Sequence, residues 1–148
     1  MKTGDGQRKK ILKLQVDNEI RFSLIGISSH ENDYRLVWAI NNLLDFSFSR
    51  IDDLVVHQAK TGTDLEFSRY IYTDEDTGIT YSLISNRCDN GFLFAEIRNL
   101  DFLVKMNGEI NNKGILDLVK KLKASEVISA CYKLDPLKIK GIQGILQE

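Results

Sequence analysis

From Phe22 to Phe48 the apolar positions change period twice. Phe22, Leu24, Ile25 and Ile27 form a dense run that predicts a buried strand over about residues 20–27. Leu36, Val37, Ile40, Leu43 and Leu44 then recur at helical spacing, with Trp38 on the flank, and predict a helix over 29–44. Ser28 and Glu31 stand at the three-residue offset of a capping box at its start. Phe46 and Phe48 alternate with Ser47 and Ser49, the period of a chain re-entering a sheet. Ahead of this block, Ile11, Leu12, Leu14 and Val16 make a short apolar run that ends at the turn-like pair Asp17-Asn18.

The middle of the chain has the rhythm of hairpins. Residues 51–64 carry no clear period beyond a short Leu54-Val55-Val56 run. Residues 65–73 and 79–86 read as two strands joined across Asp74-Glu75-Asp76-Thr77-Gly78. Asn90-Gly91 is a hairpin signal, because this pair tolerates the positive φ angles of a type I′ turn. It leads into Phe92-Leu93-Phe94, so three consecutive antiparallel strands are expected. Further on, 102–106 is strand-like, and Ile115, Leu118, Val119 and Leu122 form a helical stripe that ends among Lys120, Lys121 and Lys123. Residues 127–134 carry apolar side chains on both faces and predict a central strand. Asp135-Pro136 opens a short final turn or helix, and the tail after Gly141 is expected to be loose.

Two blocks, 22–48 and 102–134, therefore share the order strand, helix, strand around a hairpin-rich middle. The expected fold class is α+β: a mostly antiparallel sheet with two main helices on one face, an elaborated ferredoxin-like (split βαβ) arrangement. Residues 1–10 read as a flexible basic tail and 11–148 as a single α+β domain. A chain of 148 residues, 43% hydrophobic and 28% charged, has the composition of a soluble globular domain and buries a core without staples.

Several function classes lose ground on composition. No apolar run approaches the roughly eighteen residues a membrane span needs, and the polar start does not fit a signal peptide, so no membrane partner is expected. Two cysteines without export features point to reduced thiols in the cytoplasm. Residues 45–100 hold ten Asp/Glu against five Lys/Arg, including Asp52, Asp53, Asp64, Glu66, Asp74, Glu75 and Asp76. Such a surface repels phosphate backbones, which disfavours nucleic acid.

The segment Phe94-Ala95-Glu96-Ile97-Arg98-Asn99-Leu100-Asp101-Phe102 resembles the signature of the IPExxxVDY family of small bacterial proteins. Glu96 and Asp101 match by identity. Phe94, Ala95, Leu100 and Phe102 stand where the family has Ile, Pro, Val and Tyr. Leu24-Ile25-Gly26-Ile27-Ser28 and Asp33-Tyr34-Arg35-Leu36-Val37-Trp38-Ala39 are similar to its opening strand and helix start. Tyr81-Ser82-Leu83-Ile84-Ser85-Asn86-Arg87 is similar to the strand ahead of the signature. The resemblance spans roughly residues 20–135. The family has no established activity, so it implies a fold unit and no chemistry.

Candidate sites are few. Glu96 and Asp101 are a carboxylate pair available for acid–base work, or for capping a turn and pairing with Arg35, Arg87 or Arg98. Ser28 and Ser29 lie in a strand-to-helix turn of the kind that binds anions, although Glu31 and Asp33 oppose an anion there. Cys88, Cys131, His30 and His57 are scattered without metal-ligand spacing, and no nucleophile elbow or phosphate loop is present, so no metal, cofactor or catalytic set is assigned. The leading expectation is a non-enzymatic protein-interaction module, with a homodimer as one form, using Trp38, Tyr70 and Tyr72 as interface. The alternative is a small-ligand sensor or enzyme with a pocket near the start of the first helix, built from Ser28, Ser29, Arg35, Glu96 and Asp101. A weaker alternative is an RNA-binding domain that stacks bases on strand aromatics.

Overall fold

Strand β1 (Ser23–Ser28) buries Leu24 on one face and Ile25 and Ile27 on the other, all three completely. A strand apolar on both sides needs a layer on each, and the fold supplies both. The computed structural model describes residues 21–146, so the 11–16 run, the Asp17-Asn18 turn and the basic tail lie outside the described residues.

Helix α1 (Asp33–Leu44) follows β1. It begins later than the capping-box reading expects, because Asn32 rather than Ser28 is the cap: its side chain accepts the Arg35 N–H at 3.2 Å. The helix stops where Asp45 adopts a left-handed backbone at φ 57°. Phe46 and Phe48 do not enter the sheet. Asn41 holds Phe48 by its N–H and C=O, at 2.9 and 3.3 Å, and both rings pack under the end of the helix.

Strands β2 (Ser49–Gln58), β3 (Thr63–Asp74) and β4 (Ile79–Ser85) form a meander, with a bulge in β2 between Ile51 and Leu54. The expected third strand leaves this sheet. Arg87–Cys88 (β5) and Gly91–Phe92 (β6) form a small separate hairpin. Its turn is not type I′, since neither Asn90 nor Gly91 has a positive φ; a Cβ at Gly91 would meet Leu65 Cδ1 at 3.2 Å. A 3-10 turn, Ala95–Ile97, leads on to β7 (Phe102–Asn107), helix α2 (Asn112–Lys123) and β8 (Ala130–Leu134). Asn111 caps α2 by accepting the Gly114 N–H at 2.8 Å.

The six main strands stand in the order β2-β3-β4-β7-β1-β8, each antiparallel to its neighbours. β4-β7-β1-β8 is the split βαβ core, with β2 and β3 extending it at one side. β8 is therefore an edge strand, not a central one. One face of the sheet carries α1 and α2, packed through Leu36, Val37, Ile40, Ile115, Leu118, Val119 and Leu122 onto Ile25, Leu83, Val104 and Met106. The other face is covered by the segment after β6, through Leu93 and Phe94, and by the chain's last turns, through Ile139, Ile142 and Leu146. The tail after Gly141 is thus not loose: Ile142–Leu146 is a short helix, α3, with both ends buried. Among the described residues no helix is long and apolar enough to cross a membrane.

Candidate functional site

The residues that drew attention in sequence divide between an interior network and an outer face. The network centres on Asn86, which immediately follows β4 and is completely buried. Its amide nitrogen donates to the carbonyls of Leu100 at 2.9 Å, Ile97 at 3.1 Å and Phe94 at 3.4 Å, while its oxygen accepts the Phe94 N–H at 2.9 Å. Its backbone joins in, accepting from Leu93 N–H and donating to Asp101 C=O. One side chain thereby satisfies the inner polar groups of the whole 93–101 loop, which has no ladder of its own.

Asp101 closes the loop against β1. One carboxylate oxygen accepts the N–H of buried Ser29 at 2.8 Å, and the other meets Arg87 at 2.9 Å. Its backbone N–H donates to Ile27 at 2.8 Å. The hydroxyl of Ser28 donates to Asn99 C=O at 2.7 Å, and that of Ser29 donates to Val127 C=O while accepting the Glu31 N–H. Ser28, Ser29 and Asp101 are therefore brought together, each engaged with its own chain. Glu96 lies elsewhere: it accepts the Lys140 N–H at 2.6 Å and ties the 3-10 turn to the final segment. Arg35 is also apart, on the exposed side of α1, paired with Glu31 at 2.9 Å. The five side chains do not converge on a cavity.

Next to this network lies an acidic cleft of about 410 Å³ lined by Glu31, Asp33, Asp53, Glu66 and Asp89 with Arg87. Arg50 already bridges Asp33 and Asp53, at 3.4 and 2.7 Å. Among the described residues no group of three His, Cys, Asp or Glu side chains is arranged to hold a metal ion.

The interface candidates also separate. Tyr70 is buried, with the Arg50 guanidinium 5.4 Å above its ring, and burial pushes its hydroxyl pKa above the ordinary value. Tyr72 packs against Phe46, ring centres 4.6 Å apart, and stacks on Tyr81 at 5.9 Å. Neither offers the free aromatic surface that strand alternation suggests, because α1 and the 46–48 turn cover that face. Trp38 is different: it is 70% exposed, and Tyr34, one helical turn before it, is 62% exposed. With Arg35, Ala39 and Val127 they line a shallow hollow. Tyr34 passed unnoticed in sequence, though its four-residue spacing from Trp38 is the signal that pairs them on one face.

Asn86 passed unnoticed too, since a single buried amide leaves no periodic mark. No protein-family model, curated protein or solved structure matches this chain.

Proposed function

We propose that this chain is a non-enzymatic interaction module that pairs with a second copy of itself through the outer face of α1. One observation carries the reading. The hydroxyls and carboxylates that resemble site chemistry are engaged in holding loops, while Trp38 and Tyr34 stand exposed together on a helix. Exposed Trp and Tyr clusters are enriched where proteins meet.

The stripe is self-complementary. Two copies of α1 laid antiparallel about a two-fold axis bring Arg35 of each over Trp38 of the other, and Tyr34 against the small side chain of Ala39. Each crossing then gains a cation–π contact and an aromatic contact at once, in the symmetry most homodimers use. The four rings remove roughly 500 Å² of apolar surface from water, which belongs to the weak, concentration-dependent class of interface. The IPExxxVDY resemblance fits the same reading, with Glu96 and Asp101 serving architecture rather than chemistry.

Trp38 is the single tryptophan of the chain, so its fluorescence reports this face alone. Light scattering is expected to give a mass that rises with concentration, with a blue-shifted Trp38 emission in step. Arg35→Glu is expected to keep the protein monomeric, with only a small fall in melting temperature from the lost Glu31 pair. A monomer at every concentration, with solvent-like Trp38 emission throughout, overturns the proposal; so does a dimer that Arg35→Glu leaves intact.

A further inference from the structure

A wide hollow lies at the far end of α1 from its first turn. It is a wedge of about 680 Å³ between the C-terminal end of α1 and the flank of α2, lined by Leu43, Leu44, Phe46, Ile79, Ile110 and Leu118, with Tyr81 beneath. Its size and apolar lining are those of small-molecule sites. Polar groups are few and confined to Tyr81, Asp74, Asp117 and Lys121.

Two of these observations point to an occupant. Tyr81 is 7% exposed, and its hydroxyl makes no hydrogen bond among the described residues. A hydroxyl that lines the wedge and is not engaged by the protein is available to a ligand group. As an ordinary phenol it is protonated at neutral pH and can donate; burial, followed by the Asp74 carboxylate, raises its pKa further. Asp117 and Lys121 stand one turn apart on the same helix and both line the wedge. Among the described residues they form no ion pair, although such pairs readily close on helix surfaces. An exposed carboxylate and an exposed ammonium on one wall match the two charges of a zwitterion.

We infer that this wedge binds a free α-amino acid with a large apolar side chain. The side chain enters among Phe46, Ile79, Leu118 and Tyr81. The ammonium faces Asp117 and Asp74, the carboxylate faces Lys121, and the Tyr81 hydroxyl donates to the ligand. The inference is independent of the pairing surface, which lies on the outer side of α1.

An NMR titration of the full chain with L-phenylalanine tests it, beside two probes that each lack one charge, phenethylamine and 3-phenylpropanoate. Saturable shifts are expected at Gly114, Leu118 and Ile110, with L-phenylalanine the tightest of the three. Asp117→Asn and Lys121→Met are each expected to weaken it by about threefold, as exposed ion pairs do. Tyr81→Phe keeps the ring packing and is expected to weaken L-phenylalanine and 3-phenylpropanoate, whose carboxylates accept from the hydroxyl, and to leave phenethylamine, which has no acceptor, unchanged. No saturable shift up to the solubility limit, shifts confined to other surfaces, or equal affinity for the three probes overturns the inference. Unchanged L-phenylalanine affinity in both Asp117→Asn and Lys121→Met overturns the zwitterion assignment.

Discussion

Asn86 has the most concentrated role of any single side chain here. It is completely buried and makes four side-chain hydrogen bonds to the 93–101 loop. Asn86→Ala leaves those backbone groups without partners in a dry interior, and about 3 kcal/mol of stability is expected to go, read from the urea midpoint. Asn86→Asp is expected to cost more, because it sets a carboxylate oxygen against three carbonyls instead of an amide that donates to them. Asp101 divides in a different way. Asp101→Asn retains an acceptor for Ser29 but loses the charge facing half-exposed Arg87, and a loss of about 1 kcal/mol is expected. Asp101→Ala also orphans the buried Ser29 N–H and is expected to cost about 2 kcal/mol. Equal losses in the two Asp101 variants would show that the ion pair, not the loop closure, dominates. In sequence Glu96 and Asp101 stood out as acids among apolar neighbours. The Arg87 partner of Asp101 was among those the sequence suggested, whereas the backbone N–H that each acid accepts belongs to a residue distant in the chain and leaves no trace in local pattern.

Between elements, the contact that seats the 93–101 loop on the sheet is Gly26 under Leu100. A Cβ at Gly26 would collide with Leu100 Cδ1, and Leu100 is completely buried. Gly26→Ala is expected to lower stability by about 1–3 kcal/mol, as overpacking does. Leu100→Ala opens the space that the new methyl needs, so the double variant is expected to be more stable than the two single losses together imply. Additive losses would mean that the loop does not bear on β1 at this point. The helices were legible because each has its own period: Leu36, Val37 and Ile40 in α1, and Ile115, Leu118, Val119 and Leu122 in α2. β3 and β4 were legible as a strand pair, but β2 was not, because residues 51–64 show no clear period. The 93–101 loop was not, since its residues follow neither helical nor strand spacing and are held by Asn86 instead. Helix starts shifted for a related reason. Ser28 and Asn32 both suit a cap, and only the third dimension, where Ser28 is engaged by Asn99, decides between them.

For the whole molecule, α+β class and the strand–helix–strand block at 102–134 followed from order along the chain, while strand order, the second layer and the strand after α1 did not, since 46–48 is a turn and β2 lies at the edge of the sheet. Residues 127–134 read as central because they carry apolar side chains on both faces, yet within β8 only Cys131 is buried and Tyr132 is exposed, as an edge position allows. The helix-covered layer also sets how stability responds to alkali. Cys131 is buried in it, and burial raises its thiol pKa from 9.0 to about 11. Burial likewise raises Tyr70, Tyr81 and Tyr72 above 10.0, with the Asp74 carboxylate adding to the last two. The folded chain therefore keeps protons that the unfolded chain has released, and by linkage stability falls with pH wherever that holds. Below pH 9 both states hold these protons and the contribution is fully present. It is lost as pH rises from 9 through 11, first at Cys131 and then at the tyrosines. Urea midpoints measured across that range are expected to fall steadily, and Cys131→Ser is expected to flatten the earlier part of the fall. A midpoint constant to pH 11 would mean that these groups meet solvent as freely in the folded chain as in the unfolded one, and would overturn this account.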